Sequence, residues 1–246
     1  MHDFKEGIMS FTTTDRALEL AKVQKGSRIL DIGCGDGDVV AYLAEKCGME
    51  AEGIDINLEK VSAAKETHPG INVKFGDGEF LDDYSSFTFD CIFMQDVLAL
   101  IKLPDEALHE AYCVLKKGGR LIIIDDCFMN PDPKQLRALH IEAERLSRKP
   151  RKEGDCADLQ DRFVDFRLKQ TLFTEPLIKQ IKDLGYKLMA FETSETTAFE
   201  AAEESADSAA SAKQKLSAGS EADSAAGKKQ TAGKTGRFLL VAEKPL

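Results

Sequence analysis

The stretch that decides the fold is Arg28-Ile-Leu-Asp-Ile-Gly-Cys-Gly-Asp-Gly37, an apolar run that ends in three alternating glycines. Glycines at the end of a strand allow a tight turn and let a ligand lie against main-chain atoms that a Cβ would block. A dinucleotide fingerprint, Gly-x-Gly-x-x-Gly, would need glycine at position 38, where the chain has Asp38. Asp36 and Asp38 would also repel a diphosphate at this turn. The loop therefore suits a cationic ligand better than an anionic one.

Outward from this stretch, short apolar runs alternate with amphipathic segments as far as Met129, a pattern typical of strand-helix-strand units around a parallel sheet. Strands are predicted at residues 28–31, 50–54, 72–75, 91–94 and 120–124. Helices are predicted at residues 15–23, behind a Thr13/Thr14 cap, and at 38–47, 58–66 and 104–115. This order predicts an α/β protein with a doubly wound, mostly parallel sheet.

The second half of the chain has a different composition. Residues 130–184 are charged and helical in pattern, which predicts a substrate-facing helical insertion that ends in a final helix at 175–184. Two more apolar strands are predicted at 186–191 and 237–242. Between them, residues 197–235 are mostly Ala, Ser, Glu, Lys and Gly, too polar to offset their ordering entropy, so we expect a flexible, disordered loop. The expected division is a core at 1–129, the insertion at 130–184 and closing strands at 185–246.

The composition limits the class of protein. The chain has 246 residues, 43% of them hydrophobic, which is enough for a core and excludes disorder of the whole chain. Its net charge of −10 disfavours a long nucleic acid as a partner. None of the six cysteines belongs to a Cys-x-x-Cys pair, which indicates reduced thiols. With no signal peptide at its start and no apolar run of membrane-spanning length, the sequence predicts a cytoplasmic protein without a membrane span.

A second acid stands where a nucleoside ligand would need it. Asp55 follows the next apolar strand, 18 residues after Gly37, close to the ~20 expected for an acid that binds ribose hydroxyls. Together with Asp31 and the glycine loop, this pattern resembles motif I and the following acidic position of the class I methyltransferases that depend on S-adenosylmethionine (SAM).

Three later segments resemble further signatures of the same family, at family-like separations: Val73-Lys-Phe-Gly-Asp-Gly-Glu79, Phe89-Asp-Cys-Ile-Phe-Met-Gln-Asp-Val-Leu98, and the helix-turn-strand of residues 114–124. The resemblance implies that Asp31 orients the methionine ammonium, that Asp55 takes the ribose hydroxyls and that Asp77 reaches the adenine amino group. Turn or capping roles stay open for these acids. The full set of residues expected to bind the cofactor is Asp31, Gly33, Cys34, Gly35, Gly37, Asp55, Ile56, Asp77, Gly78 and Gln95.

The resemblance also implies a Rossmann-like sheet of seven strands, with the last two completing it antiparallel. Within the family, the sequence looks most similar to the small-molecule methyltransferases of the quinone-biosynthesis type. The expected activity is transfer of a methyl group from SAM to a small-molecule acceptor by in-line displacement, with the acceptor and the oligomeric state left open. The alternatives are a SAM-binding partner or regulatory protein without turnover, and an NAD-dependent oxidoreductase.

No catalytic dyad is evident in the sequence. A base would have to lie beyond the fourth and fifth strands, where substrate meets the methyl group. The candidates are Gln95, Asp96, Asp125, Asp126 and His140. No metal is expected, because Asp125 and Asp126 alone do not establish a site.

Overall fold

The computed structural model describes residues 11–134, 137–138, 141, 166–168, 170–195 and 235–246. Helices and strands alternate over the first of these ranges, and two further strand pairs and a helix follow. The elements are α1 (Thr12–Ala21), β1 (Arg28–Ile32), α2 (Asp38–Glu45), β2 (Glu50–Asp55), α3 (Leu58–Thr67), β3 (Asn72–Phe75), β4 (Phe89–Gln95), α4 (Pro104–Val114), β5 (Leu115–Phe128), β6 (Arg167–Leu168), β7 (Thr171–Leu172), α5 (Thr174–Asp183), β8 (Lys187–Glu195) and β9 (Thr235–Glu243).

The strands of the described residues form one mixed sheet. Five of them run parallel in the order β3-β2-β1-β4-β5, so the order reverses direction between β1 and β4. Strand β9 pairs antiparallel with both β5 and β8. Because β9 alone of these long strands is reversed, β8 points the same way as the parallel strands. The predicted doubly wound sheet of seven strands is confirmed, and the two-residue strands β6 and β7 are added to it.

The added hairpin of β6 and β7 lies on the β4 side of β5. Cys127 in β5 pairs with Leu172 on one edge and with Gly236 of β9 on the other. Since β4 already ends at Gln95, opposite Ile124 of β5, strand β7 continues the sheet past the end of β4. The hairpin therefore lies next to the loop that follows β4.

The start of α1 and the length of β5 differ from what the sequence predicts. The Thr13/Thr14 cap is wrong, because α1 begins at Thr12 with Phe11 at the N-cap, where no side chain caps the helix. The ring of Phe11 stacks on Tyr42 of α2 with 4.0 Å between the ring centres, and this contact holds the start of α1. Strand β5 extends beyond the predicted 120–124 at both ends.

The helical segment expected after the fifth strand is described only in part. Residues 133–134, 137–138 and 141 are helical, whereas residues 167–168 and 171–172 are strands that the sequence pattern does not predict. The low-complexity loop expected at 197–235 lies outside the described residues, apart from Thr235, which begins β9.

Both faces of the sheet are buried. Along β5, Leu121 and Ile123 pack into a core with residues of α4 and α5, whereas Ile122 and Ile124 pack on the other face with residues of α1 and α2. A strand that is covered on both faces is apolar throughout, which explains the unbroken Leu-Ile-Ile-Ile run. Ligands are therefore expected at the carboxyl edge of the sheet, near the reversal between β1 and β4. None of the helices in the described part of the chain combines the length and the apolar character needed to cross a membrane.

Candidate functional site

Asp31 lies near the carboxyl end of β1, at the point where the strand order reverses. Its side chain is buried, with 2% of its surface exposed. Burial raises the pKa of Asp31 to about 8, and the neighbouring charge of Asp55 adds to the rise. A buried carboxyl group with so high a pKa gains strongly from a cation placed beside it.

Asp55, the last residue of β2, holds the glycine loop in place. Its Oδ2 accepts a hydrogen bond from the backbone N–H of Gly35 at 2.9 Å, and its Oδ1 accepts one from the backbone N–H of Asn57 at 2.8 Å. Asn57 in turn caps α3, because its side chain accepts from the N–H groups of Glu59 and Lys60. The carboxylate is thereby fixed at the edge of the sheet with acceptor capacity to spare.

The three glycines of the loop have different surroundings. A Cβ at Gly33 would lie 2.3 Å from Cγ2 of Val97, and one at Gly37 would lie 2.7 Å from Cδ1 of Ile71. At Gly35 the nearest atom is Nζ of Lys60, 4.0 Å away. All three have positive φ, so the backbone itself favours glycine at each position. Of the three, Gly35 leaves room for a ligand, whereas Gly33 and Gly37 make room for the chain's own side chains.

The side chain of Cys34 is buried against β2, and its contact with a cofactor stays a prediction. The backbone N–H groups of Gly33 and Cys34 both donate to the carbonyl oxygen of Ile54, at 2.8 and 3.0 Å. A Cβ at Gly53 would lie 2.7 Å from Cβ of Cys34, so glycine in the middle of β2 lets the loop approach. Gly53 was missed from the sequence, although a glycine inside a strand is a recognised sign of close backbone approach.

The Asp77 segment forms a turn that packs against the end of β1. The Oδ1 of Asp77 accepts from the backbone N–H of Glu79 at 3.0 Å, and a Cβ at Gly78 would lie 2.5 Å from Cγ2 of Ile32. The turn role left open for Asp77 is thus present, and its contact with a cofactor stays a prediction. Ile56 is 63% exposed beside Asp55, so an apolar side chain is available at this rim.

Gln95 and Asp96 follow each other at the carboxyl end of β4. Within the described residues, Oε1 of Gln95 is buried and has no hydrogen-bond partner. A buried acceptor without a donor is costly, which favours a ligand donor at this place. Asp96 has a positive φ of 55°, and its backbone N–H donates to the carbonyl oxygen of Ile124 at 2.8 Å.

Arg237 of β9 joins two of the candidate bases. Its Nη2 lies 2.6 Å from Oδ1 of Asp96, and its Nη1 lies 3.6 Å from Oδ1 of Asp126. The sequence gives no sign of this arginine, because it lies 141 residues from Asp96. His140, the remaining candidate, lies outside the described residues.

Asp125 is buried and, as the neighbour of Asp126 along β5, points to the other face of the sheet. Its Oδ2 accepts from the backbone N–H of Ala99 at 3.1 Å and its Oδ1 from that of Asp126 at 2.8 Å. Burial raises the pKa of Asp125 to about 6 in spite of these bonds. With both oxygens occupied by backbone donors, Asp125 holds the loop after β4 and is a poorer base than Asp96.

Arg167 fixes the same loop from the other side. Its guanidinium donates to the carbonyl oxygens of Ile101 and Lys102, so the β6–β7 hairpin is tied to the segment that follows Asp96.

Among the described residues, no group of three His, Cys, Asp or Glu side chains is arranged to hold a metal ion.

A family model described as a methyltransferase domain matches residues 23–172 of the chain. The chain belongs to this methyltransferase family. The match confirms the predicted class, with SAM as its cofactor, and it covers every described position of the site from Asp31 to Asp126.

Two curated relatives of this methyltransferase differ in what their names say they methylate. Over 145 residues it is 30% identical to phosphoethanolamine N-methyltransferase 3 of Arabidopsis thaliana, covering 56% of this chain and 30% of that protein. Over 133 residues it is 35% identical to the ubiquinone/menaquinone biosynthesis C-methyltransferase UbiE of Teredinibacter turnerae, covering 51% of this chain and 53% of that one. The chain therefore spans a third to a half of the length of these relatives.

The fold is that of solved methyltransferases. A SAM-dependent methyltransferase from Methanosarcina mazei superposes with a TM-score of 0.56 at 22% identity, covering 91% of this chain and 95% of that one. At this identity the likeness establishes the fold alone. It confirms the predicted Rossmann-like sheet.

Proposed function

We propose that this chain transfers a methyl group from SAM to a small-molecule acceptor. The observation that carries the proposal is the buried carboxyl group of Asp31 beside the open backbone at Gly35. A cation beside a buried carboxyl group favours its ionised form, and an open glycine loop admits a ligand to the main chain. Both features lie inside the part of the chain that the methyltransferase family model matches.

The described residues fit SAM on the donor side. Asp31 would hold the methionine ammonium, and Asp55 would accept from the ribose hydroxyls with the oxygen capacity left over from Gly35 and Asn57. The unpartnered Oε1 of Gln95 offers an acceptor for a further donor of the ligand. When bound, SAM would supply a methyl group on a positively charged sulfur, with breakage of the carbon–sulfur bond and the neutral thioether S-adenosylhomocysteine as the leaving group.

On the acceptor side, the chain is proposed to act mainly by positioning. Holding two reactants at near-attack distance can supply on the order of 7–11 kcal/mol without an acid or a base. Where a proton must leave the acceptor, Asp96 is the better placed carboxylate, because Arg237 holds it at the rim and no backbone donor occupies its side chain in the described structure.

We also propose a reducing compartment, the cytoplasm, for this chain. The five cysteines among the described residues are free, and three of them, Cys34, Cys91 and Cys127, are buried in the core. Free buried thiols are typical of proteins that are not exposed to an oxidising environment.

The test combines binding and turnover on the full chain. Calorimetry should detect binding of S-adenosylhomocysteine to the chain and no binding of NAD. Incubation with methyl-labelled SAM and a small-molecule fraction of cell extract should then yield a labelled product that mass spectrometry identifies. Asp31→Asn should abolish both signals.

Asp90→Asn is the matched control, because Asp90 is also a strand carboxylate but lies at the opposite end of β4, paired with Lys116. Binding of NAD in place of S-adenosylhomocysteine would overturn the proposal. Binding of S-adenosylhomocysteine without transfer to any fraction would instead favour a SAM-binding protein without turnover.

A further inference from the structure

A cavity of about 290 Å³ lies between the start of α1 and the strands β5, β8 and β9, and we call it the α1–β9 pocket. Strand pairing sets Ile124 opposite Leu239 and Asp126 opposite Arg237, so these side chains share the sheet face that α1 covers. All of them lie at the carboxyl edge of the parallel strands. The pocket is therefore at the same edge as the donor crevice, displaced toward β9.

The lining of the pocket combines two arginines with an apolar surface. Ile124 and Leu239 supply an apolar floor, Arg16 comes from α1, Arg237 from β9 and Glu192 from β8. Each arginine is paired with carboxylates, Arg16 with Glu19 and Glu192 and Arg237 with Asp96 and Asp126, so an anion would have to compete with these partners. An apolar floor beside a pair of guanidinium groups matches an organic anion, because guanidinium binds carboxylate and phosphate with paired hydrogen bonds.

Arg16 contacts Glu19 and Glu192, and Glu192 is the partner that an incoming anion can replace. Nη2 of Arg16 lies 2.6 Å from Oε1 of Glu192, and the two side chains are 45% and 43% exposed. Exchanging one half-exposed carboxylate for another costs little, since such ion pairs contribute weakly to stability. Glu192 thus occupies the place that a ligand carboxylate would take on Arg16.

The pocket is connected to the transfer site through Arg237. This arginine contacts Asp96, which directly follows Gln95 with its unpartnered Oε1. A molecule whose anionic group lies between Arg16 and Arg237 can therefore extend toward the end of β4. A volume near 290 Å³ is at the lower end of the ~300–1,000 Å³ usual for ligand pockets, which indicates a compact molecule.

We propose that the α1–β9 pocket binds the methyl acceptor, and that the acceptor is a compact organic anion. Its carboxylate or phosphate lies between Arg16 and Arg237, and its apolar part lies on Ile124 and Leu239. This inference rests on the methyltransferase function proposed above.

The test uses benzoate as an anionic probe, benzamide as its neutral counterpart and inorganic phosphate as a third arm, each titrated into the full chain by calorimetry or NMR. Benzoate should bind and benzamide should not. Stronger binding of phosphate than of benzoate would assign the anion as a phosphate. Arg16→Gln should weaken anion binding about tenfold, since it removes a charge-assisted hydrogen-bond donor.

Glu192→Gln should change the affinity in the opposite direction. It removes the competing carboxylate, so anion binding should become severalfold tighter. A purely structural role of the Arg16–Glu192 pair would weaken binding in both variants. Lys179→Gln, the same loss of one positive charge on the exposed face of α5, should leave the affinity unchanged.

S-adenosylhomocysteine binding is measured on the same samples. If it binds and neither anion binds up to millimolar concentration, the pocket proposal fails and the proposed function stands. Equal affinity for benzoate and benzamide, or unchanged anion affinity in Arg16→Gln, would also overturn it. If S-adenosylhomocysteine does not bind the unaltered chain, the proposed function itself has failed.

Discussion

Asp31 and Asp55 lie at the carboxyl ends of neighbouring parallel strands, and the charge of Asp55 adds to burial in raising the pKa of Asp31 to about 8. At neutral pH the ligand-free site thus holds Asp31 in its protonated form. The neighbouring Asp55 already accepts hydrogen bonds from the backbone N–H groups of Gly35 and Asn57. An ammonium group bound between the two acids would lower the pKa of Asp31, because it favours the ionised form of that carboxyl group.

We predict that binding of S-adenosylhomocysteine, which carries the same ammonium as SAM, becomes tighter as the pH rises from about 6 to about 8. The gain should approach about tenfold per pH unit, since each binding event releases the proton of Asp31. Calorimetry in buffers of different ionisation enthalpy measures that release directly. An affinity that is independent of pH in this window would contradict the assignment of Asp31.

Asp55→Asn should shift this pH dependence to lower pH. The substitution removes the charge that adds to the pKa of Asp31, while the amide oxygen can still accept from one backbone N–H. Affinity at pH 8 should nevertheless fall by about tenfold or more, because the carboxylate proposed to accept from the ribose hydroxyls is lost. A fall in affinity with an unmoved pH profile would show that the two acids are not coupled.

Asp31 should make the ligand-free protein less stable as the pH rises. Its pKa is near 3.8 in the unfolded chain and about 8 in the folded one. The unfolded state therefore ionises between these values while the folded state keeps its proton, and the free energy of unfolding declines across the window. Asp31→Asn removes the decline and should stabilise the protein by a few kcal/mol near pH 8 and by little below pH 4. Urea unfolding of both proteins at several pH values measures the difference, and equal stability throughout would contradict the raised pKa of Asp31 in the folded state.

Two glycines of the loop should respond differently to alanine. Gly33→Ala should cost about 2–4 kcal/mol of unfolding free energy, because its Cβ meets Val97 and its φ is positive. Gly35→Ala should cost only about 1 kcal/mol for the backbone, yet weaken binding of S-adenosylhomocysteine. Denaturant unfolding and calorimetry separate the two effects. Val97→Ala should recover part of the stability of Gly33→Ala and none of the affinity of Gly35→Ala.

Lys244→Met should destabilise the sheet far from the site. The Nζ of Lys244 donates to the carbonyl oxygens of Tyr112 and Leu115, at 2.6 and 2.9 Å, and the side chain is buried. Losing these bonds leaves carbonyl oxygens without a donor, so we expect a loss of about 2 kcal/mol in urea unfolding. Lys117→Met, an exposed lysine near by, is the control and should change stability little.

The sequence predicts the donor half of the site because that half is local. Asp31 and the glycine loop lie within seven positions of each other, and Asp55 ends the next strand. Periodicity and spacing therefore predict all of these residues. The strand order follows from the same alternation of apolar runs and helices.

What the sequence does not predict depends on contacts between distant segments. Val97 explains why position 33 is glycine, and Arg237 holds Asp96 from the far end of the chain. The start of α1 is likewise set by the stacking of Phe11 on Tyr42, which outweighs the capping preference of the threonines that follow. Such pairs exist only once the sheet has formed, so neither propensity nor spacing reveals them.

The place of β9 has a consequence for biosynthesis. It inserts between β5 and β8, both of which leave the ribosome before it does. Until residues 235–243 emerge, the edge of β5 presents unpaired backbone N–H and C=O groups to other nascent chains, and β8 lacks its antiparallel partner. Closure of the sheet therefore awaits translation of this late segment, and the interval before it is when chaperones or aggregation compete for the chain.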